Sequence, residues 1–280
     1  MVRAAVGLSI ESRVALNDGA KMPLFGLGVW QAGSGKETQS AVQTALEVGY
    51  RLIDTAKLYA NEKDVGIAVK KSGVPRDDVF VTTKLWNTDH GYEAALKAFD
   101  RSQRELGLGI VDLYLIHWPV PGLRRDSWKA LLRLKEEGRI RSAGVSNYTI
   151  RHLEELLASS SIPPAVNQVE FHPFLYQERL LEFCRGRKIQ VEAYSPLARA
   201  RRLGHPVLKE IATKYGRTPV QILIRWGLQH DLVVIPKSVR PERIRENAQV
   251  FDFDLRREDM ERLDGLDEGS RVAWNPDDLP

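Results

Sequence analysis

The feature of this sequence that most constrains its fold is a repeated alternation between amphipathic helical segments and short apolar strands. Helical segments end near Gly49, Gly73, Gly107, Gly138 and Gly186, and an apolar run follows each of them. Glycine tolerates the left-handed backbone conformation that closes a helix, so it marks helix C-termini. Alternating helices and strands of this kind predict a parallel sheet.

The apolar runs give eight predicted strands, which are residues 24–28, 50–54, 79–84, 111–117, 140–145, 165–169, 189–193 and 232–235. Eight such units in roughly 250 residues favour a closed (β/α)8 barrel, the TIM-barrel architecture, over an open sheet. Before them, Asn17, Asp18 and Gly19 predict the turn of a β-hairpin that could cap one end of the barrel. No linker or low-complexity tract divides the chain, so we expect a single domain over residues 1–280.

Composition excludes several classes of partner. The chain is 43% hydrophobic, but it has no apolar run of about 18 residues that could span a membrane, and its N-terminus lacks the apolar core of a secretory signal. The net charge of +4 comes from basic residues interspersed with acidic ones, which is not the pattern of a nucleic-acid surface. The single cysteine, Cys184, fits a cytoplasmic location. We expect a monomer that binds a small molecule and no metal.

Three ionisable residues end neighbouring predicted strands: Asp54, Lys84 and His117. Tyr59 follows Asp54 closely, in the loop or first turn beyond the strand. Active sites of parallel barrels lie where the strands end, so we expect these side chains to converge. Each alone could serve the structure instead, as a helix cap, a solvated lysine or a core ring. The coincidence of all four favours a catalytic site.

This combination suits the reduction of a carbonyl group. A ketone or aldehyde that accepts a hydride becomes an alkoxide, which needs a proton. A tyrosine hydroxyl has a pKa of about 10, and a neighbouring lysine ammonium lowers that pKa. We therefore expect Lys84 to activate Tyr59 as the proton donor. Asp54 would hold Lys84 in its charged form, and His117 would orient the carbonyl oxygen.

Four motifs are spaced along the chain. They are residues 49–56 (GYRLIDTA) followed by Tyr59, Asn61 and Glu62; residues 115–119 (LIHWP); residues 144–148 (GVSNY); and residues 235–238 (IPKS) followed by Arg243, Glu246 and Asn247. In this order they resemble the aldo-keto reductase family, and the resemblance runs from about Val14 to near the C-terminus. It implies a (β/α)8 barrel, the cofactor NADPH, reduction of aldehydes or ketones, and the same four catalytic residues.

The resemblance also implies a cofactor site. The matching positions for the nicotinamide are Ser146, Asn147 and Gln168, which would hold its amide, and Tyr194, which would stack on its ring. Those for the phosphates are Ser195, Pro196 and Leu197, in a loop over the pyrophosphate, and Lys237, Ser238 and Arg243, at the adenosine 2′-phosphate. Glu246 and Asn247 match contacts to adenine. We also assign Gly28, at the end of the first predicted strand, to this site. The Rossmann fingerprint is absent because Gln31 stands where its third glycine belongs, which argues against a doubly wound dehydrogenase.

The loop after Leu197 departs from the family pattern. The run from Ala198 to Arg202 stands where the family often has a glycine-containing loop over the pyrophosphate. We expect Arg201 and Arg202 to be solvated. Arg199 could contact the cofactor or be solvated, and both interpretations stay open.

The tail after the last predicted helix is also short, whereas longer C-terminal loops in relatives help to define the substrate pocket. We therefore expect a pocket that is open on one side. Trp30, Trp86 and Trp118 are its predicted walls, although Trp30 or Trp86 could instead pack in the core.

Together these residues predict an NADPH-dependent reductase of small carbonyl compounds with Tyr59 as the proton donor. One alternative is a regulatory or structural protein on the same barrel that binds the cofactor with little turnover, and the intact catalytic residues weigh against it. Another is a barrel lyase or isomerase acting on a phosphorylated substrate. Such an enzyme would not need both Tyr59 with Lys84 and the cluster of Lys237, Ser238 and Arg243.

Overall fold

Eight parallel strands and the helices between them make up most of the structure, a computed structural model that describes residues 7–279. An antiparallel hairpin, β1 (Arg13–Ala15) and β2 (Lys21–Pro23), precedes them. The parallel strands are β3 (Leu27–Gly28), β4 (Leu52–Asp54), β5 (Phe80–Leu85), β6 (Val111–Ile116), β7 (Ile140–Ser146), β8 (Val166–Glu170), β9 (Gln190–Tyr194) and β10 (Val233–Val234). Each of them overlaps one of the predicted strands.

Helices connect consecutive parallel strands. They are α1 (Lys36–Val48), α2 (Glu62–Lys71), α3 (Tyr92–Leu106), α4 (Arg124–Glu136), α5 (Ile150–Ser159), α6 (Glu178–Gly186), α7 (Pro206–Tyr215), α8 (Pro219–Gln229), α9 (Pro241–Asn247) and α10 (Arg257–Asp264). Both α7 and α8 lie between β9 and β10, and α9 and α10 follow the last strand. Within residues 7–279, no helix has the length and apolar character needed to cross a membrane.

The sheet closes on itself. Strands β3 to β10 pair in the order of the chain, and each pair is parallel. The two outer strands then meet, because the Gly26 N–H donates to the Val234 carbonyl at 3.0 Å and the Val234 N–H donates to the Leu24 carbonyl at 2.9 Å. The predicted (β/α)8 barrel is therefore confirmed.

The N-terminal hairpin plugs the end of the barrel at which the strands begin. Leu16 and Met22 of the hairpin are buried in one apolar cluster with Leu52, Val166 and Val233, which lie at or near the starts of their strands. These buried side chains fill the interior of the barrel at the end where the strands begin. The predicted hairpin cap is confirmed, and the opposite end of the barrel is left to form a site.

The glycine signal for helix ends has one exception. Gly107 closes α3 in the left-handed conformation with φ of 60°, as the sequence predicted. Gly186 instead remains the last residue of α6, and Lys188 takes the left-handed conformation with φ of 57° two residues later. The prediction that Gly186 itself closes the helix in the left-handed conformation was therefore wrong, because Gly186 is still helical and the left-handed residue is Lys188.

Two helical glycines differ in what surrounds them. A Cβ atom on Gly66, in the middle of α2, would lie 1.9 Å from the Leu106 carbonyl oxygen at the end of α3. A Cβ atom on Gly186 would meet nothing within 4 Å. The first glycine therefore allows two helices to approach closely, whereas the second has no such role.

We expect Gly66→Ala to lower the free energy of unfolding by about 1–3 kcal/mol or more, because the added methyl group forces α2 and α3 apart. Gly186→Ala is the matched control, since alanine stabilises helices relative to glycine by up to about 1 kcal/mol and has space there. Urea unfolding of both variants measures the difference. Equal stability of the two variants would show that the close approach of α2 and α3 does not limit packing.

Candidate active site

The catalytic residues predicted from the sequence meet at the end of the barrel opposite the hairpin. Asp54 is the last residue of β4, and Lys84 lies near the end of β5. Tyr59 ends a single 3-10 turn, Lys57–Tyr59, that follows β4. The Lys84 ammonium lies 2.6 Å from Asp54 Oδ1 and 3.4 Å from the Tyr59 hydroxyl oxygen. The ammonium therefore joins the carboxylate to the phenol.

Lys84 is wholly buried, with a relative exposure of 0%. Its ammonium also donates to the Thr55 carbonyl at 2.9 Å. Burial alone would lower the pKa of Lys84, but the charge of Asp54, its hydrogen bond to Lys84 and the nearby Tyr59 and Glu192 together outweigh burial, so this pKa lies above its usual value. The side chain consequently stays charged at neutral pH.

Tyr59 differs from the sequence-based expectation of a lowered pKa. Its deep position raises the pKa to about 12, and the attraction of Lys84 opposes this shift without overcoming it. The negative charge of Asp54, which lies closer to Lys84 than Tyr59 does, also raises the pKa of Tyr59. The structure thus holds Tyr59 firmly in its protonated form.

His117 directly follows β6 and completes the group. The Tyr59 ring meets it edge-on, with 5.8 Å between ring centroids, and the Trp86 ring does so at 5.2 Å. Burial, with the charge of Lys84 as a second cause, holds the pKa of His117 well below its usual value. Its Nδ1 is enclosed without a hydrogen-bond partner in the described part of the chain. His117 is therefore a neutral imidazole whose Nε2 is available to a ligand.

A cavity of about 930 Å³ lies over Tyr59 and His117. At its inner end, Ser146 and Asn147 follow each other at the end of β7, and the Asn147 side-chain amide donates to Ser146 Oγ at 3.1 Å. The Tyr194 hydroxyl donates to Asn147 Oδ1 at 2.8 Å. These contacts hold polar groups in a fixed orientation beside the predicted catalytic residues.

The outer end of the same cavity carries positive charge. Lys237 follows β10, and Arg243 lies on α9; both are exposed, and neither forms an ion pair within residues 7–279. Gly28 approaches this strand closely, since a Cβ there would lie 3.3 Å from the Ile235 carbonyl oxygen. All of the predicted cofactor residues line this cavity: Gly28, Ser146, Asn147, Gln168, Tyr194, Ser195, Pro196, Leu197, Lys237, Ser238, Arg243, Glu246 and Asn247.

The comparison with protein families agrees with this geometry. The model of the "Aldo/keto reductase family" matches residues 25–268, which is nearly the whole barrel. The chain belongs to the aldo-keto reductase family. The predicted membership and the prediction of an oxidoreductase are therefore confirmed.

Individual aldo-keto reductases are similar over almost their full length. A glyoxal reductase of Bacillus subtilis is 49% identical over 97% of this chain and 98% of its own. A methylglyoxal reductase of Escherichia coli is 46% identical over 94% and 96%. Among solved structures, a variant of Gox0644 in complex with NADPH superposes with a TM-score of 0.91 at 42% identity, covering 96% of this chain and 98% of that one. The expected cofactor, NADPH, agrees with that complex.

The three predicted pocket tryptophans take different places in this aldo-keto reductase. Trp30 and Trp118 line the cavity, whereas Trp86 packs against the rings of His117 and Trp274. Trp274, in the C-terminal tail, also lines the cavity, with its ring centroid 5.5 Å from that of Trp118. The tail therefore returns to the cavity mouth, and the pocket is less open than its short length predicted.

The three arginines of the loop after β9 have different surroundings. The Arg199 guanidinium lies 4.4 Å from the centre of the Trp30 ring, and Arg199 lines the cavity. Arg202 forms an ion pair with Glu268. Arg201 is exposed, as expected. Arg199 is thus the loop arginine that lines the cavity.

Sequence reasoning missed one buried acid at the centre of the site. Glu192, in the middle of β9, accepts a hydrogen bond of 2.9 Å from the Gln168 side-chain amide. The same nitrogen donates to Asp54 Oδ2 at 2.8 Å. An acidic residue between the apolar residues Val191 and Ala193 was the available signal, because the alternation of a strand points it into the barrel.

The buried pair of Asp54 and Lys84 should dominate the stability of this end of the barrel. We expect Lys84→Met to lower the free energy of unfolding by about 3–5 kcal/mol, because it leaves a buried carboxylate without its partner. The double variant Asp54→Asn with Lys84→Met should lose clearly less than the sum of the single losses. Denaturant unfolding of the four proteins in this cycle gives the coupling.

The exposed pair of Arg257 and Glu261 on α10 is the control, since its nitrogen–oxygen distance of 2.7 Å is almost the same. Exposed pairs at this helical spacing contribute only about 0.3–0.5 kcal/mol. If the Asp54 and Lys84 losses were additive, the buried contact would not hold the site together.

Proposed function

We propose that this protein reduces small, reactive aldehydes and ketones to alcohols with NADPH, and that Tyr59 donates the proton. The observation that carries this proposal is the Lys84 ammonium held 2.6 Å from Asp54 and 3.4 Å from the Tyr59 hydroxyl at the floor of a large cavity. A protonated phenol beside a fixed cation suits delivery of a proton to a developing alkoxide.

The cavity residues fit NADPH at both of its ends. Ser146, Asn147 and Gln168 offer amide and hydroxyl groups at the inner end, where a nicotinamide amide needs partners. Lys237 and Arg243 offer cationic groups without ion-pair partners in the described chain, where the 2′-phosphate needs them. A volume of about 930 Å³ is at the upper end of the range for ligand pockets, as a dinucleotide requires.

The chemistry divides between cofactor and protein. When bound, NADPH supplies the hydride. The neutral imidazole of His117 can donate a hydrogen bond to the substrate oxygen and hold the carbonyl in place. Tyr59 transfers its hydroxyl proton to that oxygen as negative charge develops there. Lys84 stabilises the phenolate that remains, and Asp54 keeps Lys84 in position.

Two observations support small dicarbonyls and related aldehydes as the substrate class. Relatives that are nearly half identical are a glyoxal reductase and a methylglyoxal reductase. The pocket mouth is formed by aromatic rings, Trp118 and Trp274 among them, and such walls discriminate substrates that differ by one methylene by only about 1–3 kcal/mol. Intrinsically reactive carbonyls should therefore be reduced fastest.

Tyr59→Phe should remove nearly all turnover and leave NADPH binding almost unchanged, because the ring stays and only the donor is lost. General acid catalysis contributes about 10²–10⁴-fold in rate. Loss of NADPH absorbance with methylglyoxal measures turnover, and deuterated NADPH checks that chemistry limits the rate.

Tyr92→Phe, on the exposed side of α3, is the control and should behave like the wild type. A Tyr59→Phe protein with more than about a tenth of wild-type turnover would show that another group delivers the proton. NADPH binding by a wild type that turns over no carbonyl would favour the regulatory alternative.

Arg243→Ala should weaken the binding of NADPH by roughly ten- to a hundredfold and leave NADH nearly unaffected, because it removes a charge-assisted contact to the extra phosphate. Arg245→Ala is a matched control on the same helix, since Arg245 pairs with Glu47 at 3.7 Å and does not line the cavity. Fluorescence titration with both cofactors tests the assignment. Equal weakening toward NADH and NADPH would refute it.

A further inference from the structure

Glu192 is a buried acid to which the proposed mechanism gives no task. It lies in the interior of the barrel, in register with Gln168 on β8 and Val233 on β10. Its relative exposure is 0%. One carboxyl oxygen accepts from Gln168, and the other, Oε1, has no hydrogen-bond partner within residues 7–279. A carboxylate so poorly supplied with donors needs an explanation.

The hydrogen bonds of Gln168 fix the direction of its side-chain amide. Its nitrogen donates to Asp54 at 2.8 Å and to Glu192 at 2.9 Å, so both amide hydrogens are in use. The reverse orientation would set the amide oxygen against the Asp54 carboxylate, which has no hydrogen to donate. The carbonyl oxygen of Gln168 is therefore the group left to face a ligand in the cavity that this residue lines. That oxygen can accept from the amide nitrogen of a nicotinamide.

The charges at the barrel centre balance only if Glu192 is neutral. The titratable groups that act on it are Asp54 from β4 and Lys84 from β5, and Glu192 in turn acts on Tyr59. Its neighbour from β10, Val233, is apolar. Lys84 already neutralises Asp54 by direct contact, so an ionised Glu192 would add a buried charge without a partner.

The pKa of Glu192 agrees with this balance. Burial, with repulsion from Asp54 as the second cause, raises it to about 8. Above that pH the carboxyl loses its proton, and its negative charge is one of the causes that raise the pKa of Tyr59. Tyr59 then becomes a poorer acid, so proton donation should weaken as the pH rises.

We propose that Glu192 is a positioning residue that acts as an uncharged carboxylic acid. It holds the Gln168 amide so that its carbonyl oxygen faces the nicotinamide, and it keeps the group of Asp54, Lys84 and Tyr59 free of excess negative charge. This inference rests on the proposed function for its effect on rate, but its effects on protonation and cofactor binding can be measured without turnover.

The first test uses the protein without cofactor. Infrared difference spectra between wild type and Glu192→Gln report the carbonyl stretch of a protonated carboxylic acid. We expect this band to disappear in the wild type with a midpoint near pH 8 and to be missing from the variant at all pH values. Glu62→Gln is the control, since Glu62 is also buried with a raised pKa but bonds to Thr83 away from the cavity. That variant should keep the Glu192 band.

The second test measures NADPH binding and turnover across the same pH range. Glu192→Gln should bind NADPH within about threefold of wild type at pH 7, because a neutral amide still accepts from Gln168. Glu192→Leu removes the acceptor and should weaken NADPH binding by roughly five- to tenfold. In the wild type, kcat should decline above a pKa near 8, and Glu192→Gln should shift that decline to higher pH.

The outcomes separate the two proposals. A wild type that reduces no carbonyl overturns the proposed function, while the infrared band still decides the state of Glu192. A band that titrates near the ordinary glutamate pKa of about 4.3, or that persists in Glu192→Gln, overturns the role of Glu192. So does an alkaline decline of kcat that is identical in wild type and Glu192→Gln.

Discussion

The structure depends on one buried cation. Lys84 is wholly enclosed, and a buried ammonium is tolerated only where opposite charge and hydrogen-bond acceptors surround it. Asp54 and the Thr55 carbonyl supply them from the end of the neighbouring strand. This requirement links the register of β4 and β5 to the chemistry of the site, because a slip of one residue would turn either side chain out of the barrel.

Much of this arrangement follows from the sequence because it depends on where strands end. Parallel strands in a barrel bring their C-terminal ends together, so Asp54, Lys84 and His117 could be placed in one site without knowledge of any distance. The predicted cofactor residues came instead from resemblance to the family, and the structure brings them to the same cavity. The alternation of helices and strands therefore predicted most of the fold, and strand ends and motifs predicted most of the residues that meet at the cavity.

Other features lie outside such patterns. The position of Trp274 depends on the path of the tail, which is fixed when the Glu170 carboxylate accepts from the backbone N–H groups of Val272 and Ala273 at 2.7 and 2.9 Å. No periodicity encodes that contact. The acidity of Tyr59 was likewise misjudged, because the sequence shows Lys84 nearby but not how deeply Tyr59 is buried, and burial raises the pKa of Tyr59 more than Lys84 lowers it.

The hairpin at the other end of the barrel has a consequence for proton supply. Because Leu16 and Met22 fill the base of the barrel, its interior is closed at that end, and Tyr59 lines the cavity at the other end. Under the proposed function, the proton that restores Tyr59 after each cycle enters by the opening through which the alcohol departs. Reprotonation of Tyr59 and release of the alcohol then use the same opening, so slow release of the product also delays reprotonation.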